Sequence, residues 1–342
     1  MSVNTRSRYL KVAGYLISLV FFYLTFKDVD ITVVFSYLNV VDVYYLIAAV
    51  GFNICFFAVR GLYQINNLHF IKKSIPFSES LISIGMAQFY NVIFPARLGE
   101  LIRTYFLSKR QGIKKASVLS YILVEKVMDV LLIMALLLLI IVFFMQDAVE
   151  LVNALAYFGG MIFLVIAFLI VYLRLSRKFL IVLKRIIPKR ILSVINGLNE
   201  EILDGLQFFR SKGQIAKSVL LLLLSWTCIL AVFGFVSYPY VELFGLPFYS
   251  CLVFMVFSAL SLSVPSAPAG IGVMHYGLFL AVKILGGDLV ASQTDMVAAF
   301  VISTHFFVML FDVLVGGGIM ITHGLSSKGR LVLADEYMNG TV

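Results

Sequence analysis

The amino-acid sequence predicts an all-α, polytopic helical membrane protein. Hydrophobic residues make up 61% of the 342 residues and charged residues only 13%, and the mean hydropathy is +1.02. A soluble domain has roughly 25% charged residues. Several uninterrupted apolar runs are long enough to cross about 30 Å of hydrocarbon. Because the backbone inside a bilayer must hydrogen-bond to itself, and because runs such as 130–144 do not alternate as barrel strands do, these runs are expected to be helices.

About six runs are predicted to be full spans, and two further stretches are apolar but interrupted. The interrupted stretches, 79–107 and 248–286, each predict two short helices joined by a break at membrane depth, as in a broken or re-entrant hairpin. Hairpins in corresponding positions of two halves are typical of transporters built as inverted repeats. An inverted repeat is a hypothesis here, since the sequence shows no residue-level repeat. The predicted full spans are 10–26, 43–59, 117–145, 154–173, 216–237 and 291–322.

The distribution of charge predicts the orientation in the membrane. Basic residues cluster at 6–11, 72–73, 109–115, 174–217 and 328–330, and the positive-inside rule assigns these loops to the cytoplasm. Both termini are therefore expected in the cytoplasm, and the two hairpins are expected to enter from opposite faces. The basic residues that give the chain its net charge of +9 flank apolar runs and are not gathered on a soluble domain. This arrangement favours contact with anionic lipid, and no nucleic-acid partner is expected.

The whole chain, 1–342, is expected to form a single integral membrane domain. Its first half covers 10–145 and its second half 216–322, joined by a cytoplasmic linker at 174–215 and followed by a cytoplasmic tail at 323–342. Within the linker, 190–212 predicts an amphipathic helix on the cytoplasmic surface. The apolar face of that helix would carry Ile191, Val194, Ile195, Leu198, Ile202, Leu206 and Phe209.

Ionisable residues at membrane depth are candidates for a functional site, because they are energetically unfavourable there. In the first hairpin a helix is expected to begin at Pro95 or soon after it. Arg97, Glu100 and Arg103 are spaced three apart and share one face of that helix. Two arginines near a helix N-terminus could bind phosphate. The alternative is that Glu100 neutralises an arginine and the three residues lock the hairpin.

Glu125 and Asp129 form the second group of candidates, one helical turn apart in the third full span. At 1.5 Å per residue they lie roughly 12 and 18 Å from its cytoplasmic end. Carboxylates at that depth need partners, which Arg60, Arg97 or Arg103 could supply, whereas Lys126 is expected to point elsewhere. Two alternatives remain open, namely a structural ion-pair network and a substrate or proton relay.

The third group surrounds the second break. Gly270 and Gly272 permit close approach of a backbone or ligand, and His275 follows just after the helix restarts. In the last span, His305 and Asp312 lie two turns apart along one face. The histidines could share a role in the site or serve as hydrogen-bonded packing residues. Gly316-Gly-Gly318 is expected to permit close contact between helices.

Three segments together resemble the lysylphosphatidylglycerol synthase transmembrane-region family, whose members are often called flippase-like domain proteins. They are the Pro-Ala-Arg-Leu-Gly-Glu block within 91–103, the Glu-Lys-Val-Met-Asp block at 125–129 and the Pro/Gly break at 265–272. The resemblance extends from about residue 10 to 322. It implies a transporter-like protein, rather than an enzyme, that moves or handles an anionic phospholipid or a polyprenyl-phosphate-linked sugar. No cofactor and no metal is implied.

Two rival functions remain open beside this one. The first is a non-transporting partner that presents lipid-linked substrate to a glycosyltransferase, and the second is a membrane-embedded lipid-modifying transferase. The implied partners are a membrane lipid or lipid-linked glycan and a separate glycosyltransferase or lipid-modifying enzyme.

The sequence also departs from the family pattern. Relatives usually have Glu-Arg at 125–126, Pro-Gly-Gly at 268–270, an acidic residue at 275 and an arginine at 305. The last two departures suggest that a His275–His305 or His305–Asp312 contact replaces an acid–base pair.

Overall fold

The computed structural model describes most of the chain. The described residues are 18–27, 29–30, 40–94, 98–144, 189–207, 211–263, 266–287 and 292–324, with single positions at 16, 32, 34, 37, 160, 164, 167 and 171. Arg97 and most of the predicted span 154–173 lie outside this set, as do the first residues of the span 10–26.

The described residues form helices and their connections, without a β-strand. In chain order the helices are α1 (Val43–Leu68), α2 (Phe77–Ile93), α3 (Gly99–Gln111), α4 (Lys115–Phe144), α5 (Lys189–Gly205), α6 (Lys212–Phe244), α7 (Ser250–Ser261), α8 (Val273–Gly286) and α9 (Thr294–Ile319). A 3-10 turn, Pro268–Gly270, precedes α8, and a π-helical turn, Met320–Gly324, follows α9. The residues 18–26, called here the N-terminal segment, are also helical.

Five helical segments of the described chain are long and apolar enough to cross a membrane. The 30 residues of α4 correspond to about 45 Å of helix. The segment Pro268–Gly286, predicted as one arm of a hairpin, is itself long enough to be one of the five. The predicted class, a polytopic helical membrane protein, is therefore confirmed. The other four segments are Val43–Leu68, Lys115–Phe144, Lys212–Phe244 and Thr294–Thr322.

The chain divides into two compact units. The first comprises 1–64, 76–103 and 219–342, and the second comprises 65–75 and 104–218. The division into sequence halves at 10–145 and 216–322 stays a prediction.

In the first unit α2 and α9 pack with their backbones close together. A Cβ atom on Gly316 would stand 2.9 Å from the Gly85 carbonyl oxygen, and one on Gly85 would stand 3.1 Å from the Gly316 carbonyl oxygen. The expectation of close helix contact at the glycine run is thus confirmed for Gly316, whereas Gly318 faces open space. Helices α7 and α8 also approach closely, since a Cβ on Gly277 would overlap the Ser261 hydroxyl.

In the second unit the amphipathic helix α5 packs against α4. The Ser120 hydroxyl donates to the Ile202 carbonyl at 3.2 Å, and Lys114 lies 3.6 Å from Glu201. The helix ends at Gly205 rather than at 212. A Cβ atom on Gly205 would overlap the Ser117 carbonyl of α4.

The covered face of α5 differs from the predicted one among the described side chains, which do not include those of Ile191, Val194 and Phe209. Leu198 is 49% exposed, whereas Asn199 and Leu203 are buried. Ile202 and Leu206 do pack against Val124 of α4. The spacing of apolar residues predicts the buried face of the helix to within about one residue. Which of those residues are buried depends on the contact with α4.

Candidate functional site

The first break separates α2 from α3. The chain leaves α2 at Phe94 in an extended conformation, with φ −100° and ψ 144°. Helix α3 begins at Gly99, four residues after Pro95, and the intervening Pro95, Ala96 and Arg97 lie outside the described residues. The Gly99 N–H donates to the Asn91 side-chain oxygen at 2.9 Å. One of the N–H groups that a helix start leaves without an intrahelical partner is thereby satisfied.

Glycine is required at position 99 because the two arms of this break touch. A Cβ atom there would overlap the Ala87 carbonyl oxygen of α2. The predicted pair of short helices on either side of a break is therefore present, with α2 and α3 as its arms.

Arg103 connects three helices through a buried polar network. Its side chain is 1% exposed, and its Nε donates to Gln64 Oε1 of α1 at 2.8 Å. The Gln64 amide nitrogen donates in turn to the hydroxyls of Ser80 and Ser83 on α2, at 2.8 and 2.7 Å. A guanidinium nitrogen also lies 3.4 Å from the Glu100 carboxylate. This geometry favours the reading in which Glu100 and Arg103 lock the hairpin.

Arg60 lies on α1 in an aromatic environment. It is 7% exposed, and its guanidinium carbon lies 5.6 Å from the Phe56 ring centroid and 5.7 Å from that of Tyr63. Both distances allow a cation–π attraction. The positive charge is thus held among rings of its own helix.

The second break separates α7 from α8 and depends on unusual backbone angles. Gly270 has φ +72° and Gly272 has φ +86°, the left-handed region that glycine tolerates best. A Cβ at Gly272 would overlap the carbonyl oxygen of Ser18 in the N-terminal segment. The Ser18 hydroxyl accepts a hydrogen bond from the Ala267 N–H at 2.8 Å. The N-terminal segment therefore packs directly on the break.

Ala269 is the one residue other than glycine with a positive φ, +58°, among the residues that the structure describes. This is the position at which relatives usually have the first glycine of Pro-Gly-Gly. The departure therefore places a side chain where the backbone conformation favours glycine.

His275 and His305 are in direct contact. His275 is in the first turn of α8, and its Nε2 lies 2.7 Å from His305 Nδ1 on α9. The other ring nitrogen of His305 lies 2.9 Å from the Ala269 carbonyl oxygen. Each side chain is 7% exposed. Of the two contacts that the resemblance suggested, the His–His contact is the one formed.

Asp312 contacts α1. Its carboxylate accepts a hydrogen bond from the Asn53 amide at 3.1 Å, and Asn53 is 1% exposed. Neither Asn53 nor Gln64 was among the predicted site residues. The signal that could have found them is an amide within an otherwise apolar helix, since a buried amide needs a hydrogen-bond partner.

The two candidate carboxylates belong to the second unit. Glu125 and Asp129 are buried on one face of α4, 3% and 8% exposed, and the Tyr121 hydroxyl donates to Glu125. The expectation that Lys126 points elsewhere is wrong, because its ammonium lies 3.9 Å from the Glu125 carboxylate. Lys126 can reach it because its flexible stem curls back from an exposed position. Neutralisation of these carboxylates by Arg60, Arg97 or Arg103 stays a prediction.

The site residues thus fall into three local groups, and each group buries polar or ionisable side chains within apolar helices. No set of three or more His, Cys, Asp or Glu side chains in the described parts of the chain is arranged to hold a metal ion. Together with the five long apolar helices, this arrangement defines a multi-pass helical membrane protein.

Comparison with known proteins identifies the family. A family model described as the lysylphosphatidylglycerol synthase TM region matches residues 11–316. The chain belongs to this family, as its sequence motifs indicated. No curated protein and no solved structure gives a significant match.

Proposed function

We propose that the protein binds the headgroup of an anionic lipid, a phospholipid or a polyprenyl-phosphate-linked sugar, and moves it across the cytoplasmic membrane. The observation that carries this proposal is the burial of His275 and His305 at the second helix break, on helices that are apolar and long enough to cross a membrane. Burying ionisable groups in a membrane protein is unfavourable, and such groups mark substrate pathways in many transporters. Membership of the lysylphosphatidylglycerol synthase TM region family supports a lipid as the substrate.

The second break offers the groups that would contact the headgroup. The first-turn N–H groups of α8, at 273–275, have no partner within the helix, and the positive end of the helix dipole lies there. Phosphate oxygens are suited to such a helix start. In this proposal His275, in the same turn, donates to the phosphate from Nδ1 when that nitrogen carries a proton, while the acyl chains stay in the lipid.

The first break has a different part in the proposal. Arg103 is held by Gln64 and Glu100, so it positions α3 against its neighbours instead of following a moving headgroup. Arg97, six residues earlier, is proposed as the arginine that contacts the headgroup. A guanidinium suits this role because it donates two parallel hydrogen bonds to one phosphate.

Glu125 and Asp129 are proposed to set the charge of the second unit. The Tyr121 hydroxyl orients the Glu125 carboxylate, which is 3% exposed. A buried carboxylate repels an anionic headgroup and attracts its counter-ion, so it would prevent the headgroup from resting too tightly in one state. Such weak binding is what a transport cycle requires, because the ligand must also leave.

The proposal places the protein in a bacterial cytoplasmic membrane with both termini inside, as the charge distribution predicts. It acts as a transporter rather than an enzyme. Its partners are the lipid or lipid-linked glycan and a separate glycosyltransferase or lipid-modifying enzyme that makes or uses that lipid.

Reconstitution in vesicles tests the proposal. The full chain is inserted into phosphatidylcholine vesicles that contain a small fraction of fluorescent phosphatidylglycerol, and dithionite then bleaches the label in the outer leaflet. In vesicles without protein the inner-leaflet label survives. With the protein, the inner-leaflet label is expected to be bleached as well, because it reaches the outer leaflet.

Variants at Glu125 and at the control position Glu200 make the test specific. Glu125→Gln keeps the side-chain shape but removes the charge. It is expected to lower the bleaching rate about tenfold, equivalent to about 1.4 kcal/mol in the barrier, because the headgroup is then held more tightly. Glu200→Gln, an exposed position in the same unit, serves as the control and is expected to leave the rate unchanged. A folded protein that leaves the inner-leaflet label intact would overturn translocation and favour the non-transporting partner.

A further inference from the structure

The hydrogen-bond geometry of the histidine pair determines where its hydrogens lie. The Ala269 carbonyl oxygen can only accept, so the His305 nitrogen that lies 2.9 Å from it, Nε2, carries a hydrogen. In a neutral His305 the other nitrogen, Nδ1, is then bare and can only accept. The His275 nitrogen at 2.7 Å, Nε2, must therefore be the donor, because two bare nitrogens at that distance would repel each other.

This assignment leaves one nitrogen of the pair with neither a hydrogen nor, among the described residues, a hydrogen-bond partner. Nδ1 of His275 has no hydrogen in the neutral pair, is buried, and has no hydrogen-bond partner among the described residues. A buried polar atom without a partner calls for an explanation such as a ligand or a functional role. A bare imidazole nitrogen binds a proton, so the pair contains a vacant position for one.

A first added proton is compatible with every contact of the pair. With Nδ1 of His275 protonated, its Nε2 still donates to His305, and His305 still donates to Ala269. Moving the shared hydrogen from one ring to the other transfers the positive charge without breaking either contact. The charge can therefore reside on both rings, which lowers its free energy in a poorly solvated site.

A second added proton is not compatible with the pair. It would have to occupy Nδ1 of His305, which would then present an N–H to the N–H of His275. Two donors cannot share a 2.7 Å contact, so the rings would separate. The pair thus accepts one proton in its present geometry and no more.

Among the residues that the structure describes, aromatic rings surround the pair and no acidic side chain hydrogen-bonds to it. The ring centroids of Phe22 and Phe26, on the N-terminal segment, lie 5.8 and 5.3 Å from that of His275. The two phenyl rings are tilted and nearly perpendicular to the imidazole ring, at interplanar angles of 57° and 78°. On the two helices the other ionisable residues are Tyr276 and Lys283 of α8 and Asp295 and Asp312 of α9. Asp295 accepts from the Asp30 N–H, and Asp312 accepts from Asn53. The N-terminal segment contributes Tyr23 and is followed by Lys27.

We infer that the His275–His305 pair is a binding site for a single proton, taken up at Nδ1 of His275 and shared with His305. This role goes beyond lipid handling and does not depend on a lipid. It also connects the proton to the backbone of the second break, because His305 holds the carbonyl of Ala269, whose φ is +58°. The bound proton leaves this hydrogen bond in place.

Nuclear magnetic resonance of the full chain in lipid nanodiscs tests the inference. The sequence has four histidines, so ring-¹⁵N labelling gives few signals to assign. At neutral pH an N–N coupling across the hydrogen bond is expected between the rings of His275 and His305. On acidification their ¹⁵N shifts are expected to move in one joint step that corresponds to one proton, with the coupling retained.

Two variants separate the pair from the other histidines. His275→Phe removes the accepting nitrogen, and it is expected to abolish the joint step and leave the ring of His305 neutral over the same pH range. His69→Gln removes an exposed histidine outside the pair, and it is expected to leave the joint step of His275 and His305 unchanged.

Three outcomes of the wild-type titration would overturn the inference. The first is the absence of the N–N coupling, and the second is independent protonation of both rings. The third is the absence of any change in the two rings before the protein unfolds. None of these readings uses lipid transport, so failure of this inference and failure of the proposed function are distinguishable.

Discussion

The two helix breaks of the first unit are held by different chemistry. At the first break a guanidinium that is charged at all relevant pH values, that of Arg103, bonds to the amide of Gln64 and the carboxylate of Glu100. At the second break an imidazole, that of His305, bonds to a backbone carbonyl. Imidazole, unlike guanidinium, has a neutral form that can take up a proton. The charge at the first break is therefore constant, whereas the charge at the second break can change when a proton binds.

The breaks also differ in their use of glycine. Gly99 at the first break makes room for a carbonyl of α2, whereas the glycines of the second break adopt left-handed angles. Backbone conformation therefore contributes more to the second break, and side-chain bonding contributes more to the first. The following changes test that contrast, from the largest expected effect to the smallest.

Replacement of Gly272 by alanine is expected to have the largest effect. The new Cβ would overlap the Ser18 carbonyl oxygen, and φ is +86°, so strain and overlap together are expected to lower the free energy of unfolding by about 4 kcal/mol. Denaturation of the purified protein in mixed micelles measures this change. Gly245→Ala is the control, since its φ is +66° but its Cβ would meet no atom within 4 Å. It is expected to lose only about 1 kcal/mol, and equal losses for both variants would contradict the overlap.

Arg103→Met tests the first break. Removal of the guanidinium takes away the donor to the buried Gln64 side chain and the positive charge beside Glu100, and a loss of about 3 kcal/mol is expected in the same denaturation experiment. Arg110→Met, on the exposed face of α3, is expected to change stability by about 0.5 kcal/mol or less. Addition of Glu100→Gln to Arg103→Met should lower stability by less than the sum of the single changes, because the two side chains interact. Full additivity would show that the Glu100–Arg103 contact contributes nothing.

His305→Phe tests the second break. The phenyl ring fills a similar volume but leaves the Ala269 carbonyl and His275 without their partner, so a loss of about 2 kcal/mol is expected. His69→Phe, at an exposed position, provides the comparison and is expected to be nearly neutral. If His305→Phe were neutral too, the histidine contact would not hold the break.

Ala269→Gly is expected to have the smallest effect and the opposite sign. Glycine tolerates the observed φ of +58°, and the gain exceeds the extra entropy of the unfolded chain, so a stabilisation of about 0.5 kcal/mol is expected. Ala259→Gly, within helix α7, is instead expected to destabilise by about 1 kcal/mol. Destabilisation by both changes would mean that the left-handed angle at Ala269 imposes no strain.

The helix pattern was accessible from the sequence, and much of the local pairing was not. The breaks at 94–98 and 262–272 follow from proline, glycine and charge within apolar runs, as does the Glu100–Arg103 pair from its spacing of three. Lys126 was assigned a direction from helical periodicity, yet its flexible side chain reaches the adjacent Glu125. The Ala269 angle was also inaccessible, because alanine itself gives no signal for a positive φ.

The sequence by itself determined the class of protein, its family, the apolar helices and the positions of both breaks. These features depend on local composition and on the solvation of the backbone, which apply wherever the chain lies in the membrane. Only the tertiary structure decided that His305 contacts His275, 30 residues away, and that Arg103 bonds to Gln64, 39 residues away. The physical reason is that helical periodicity defines which face a side chain occupies, whereas the packing of helices determines which neighbour that face meets.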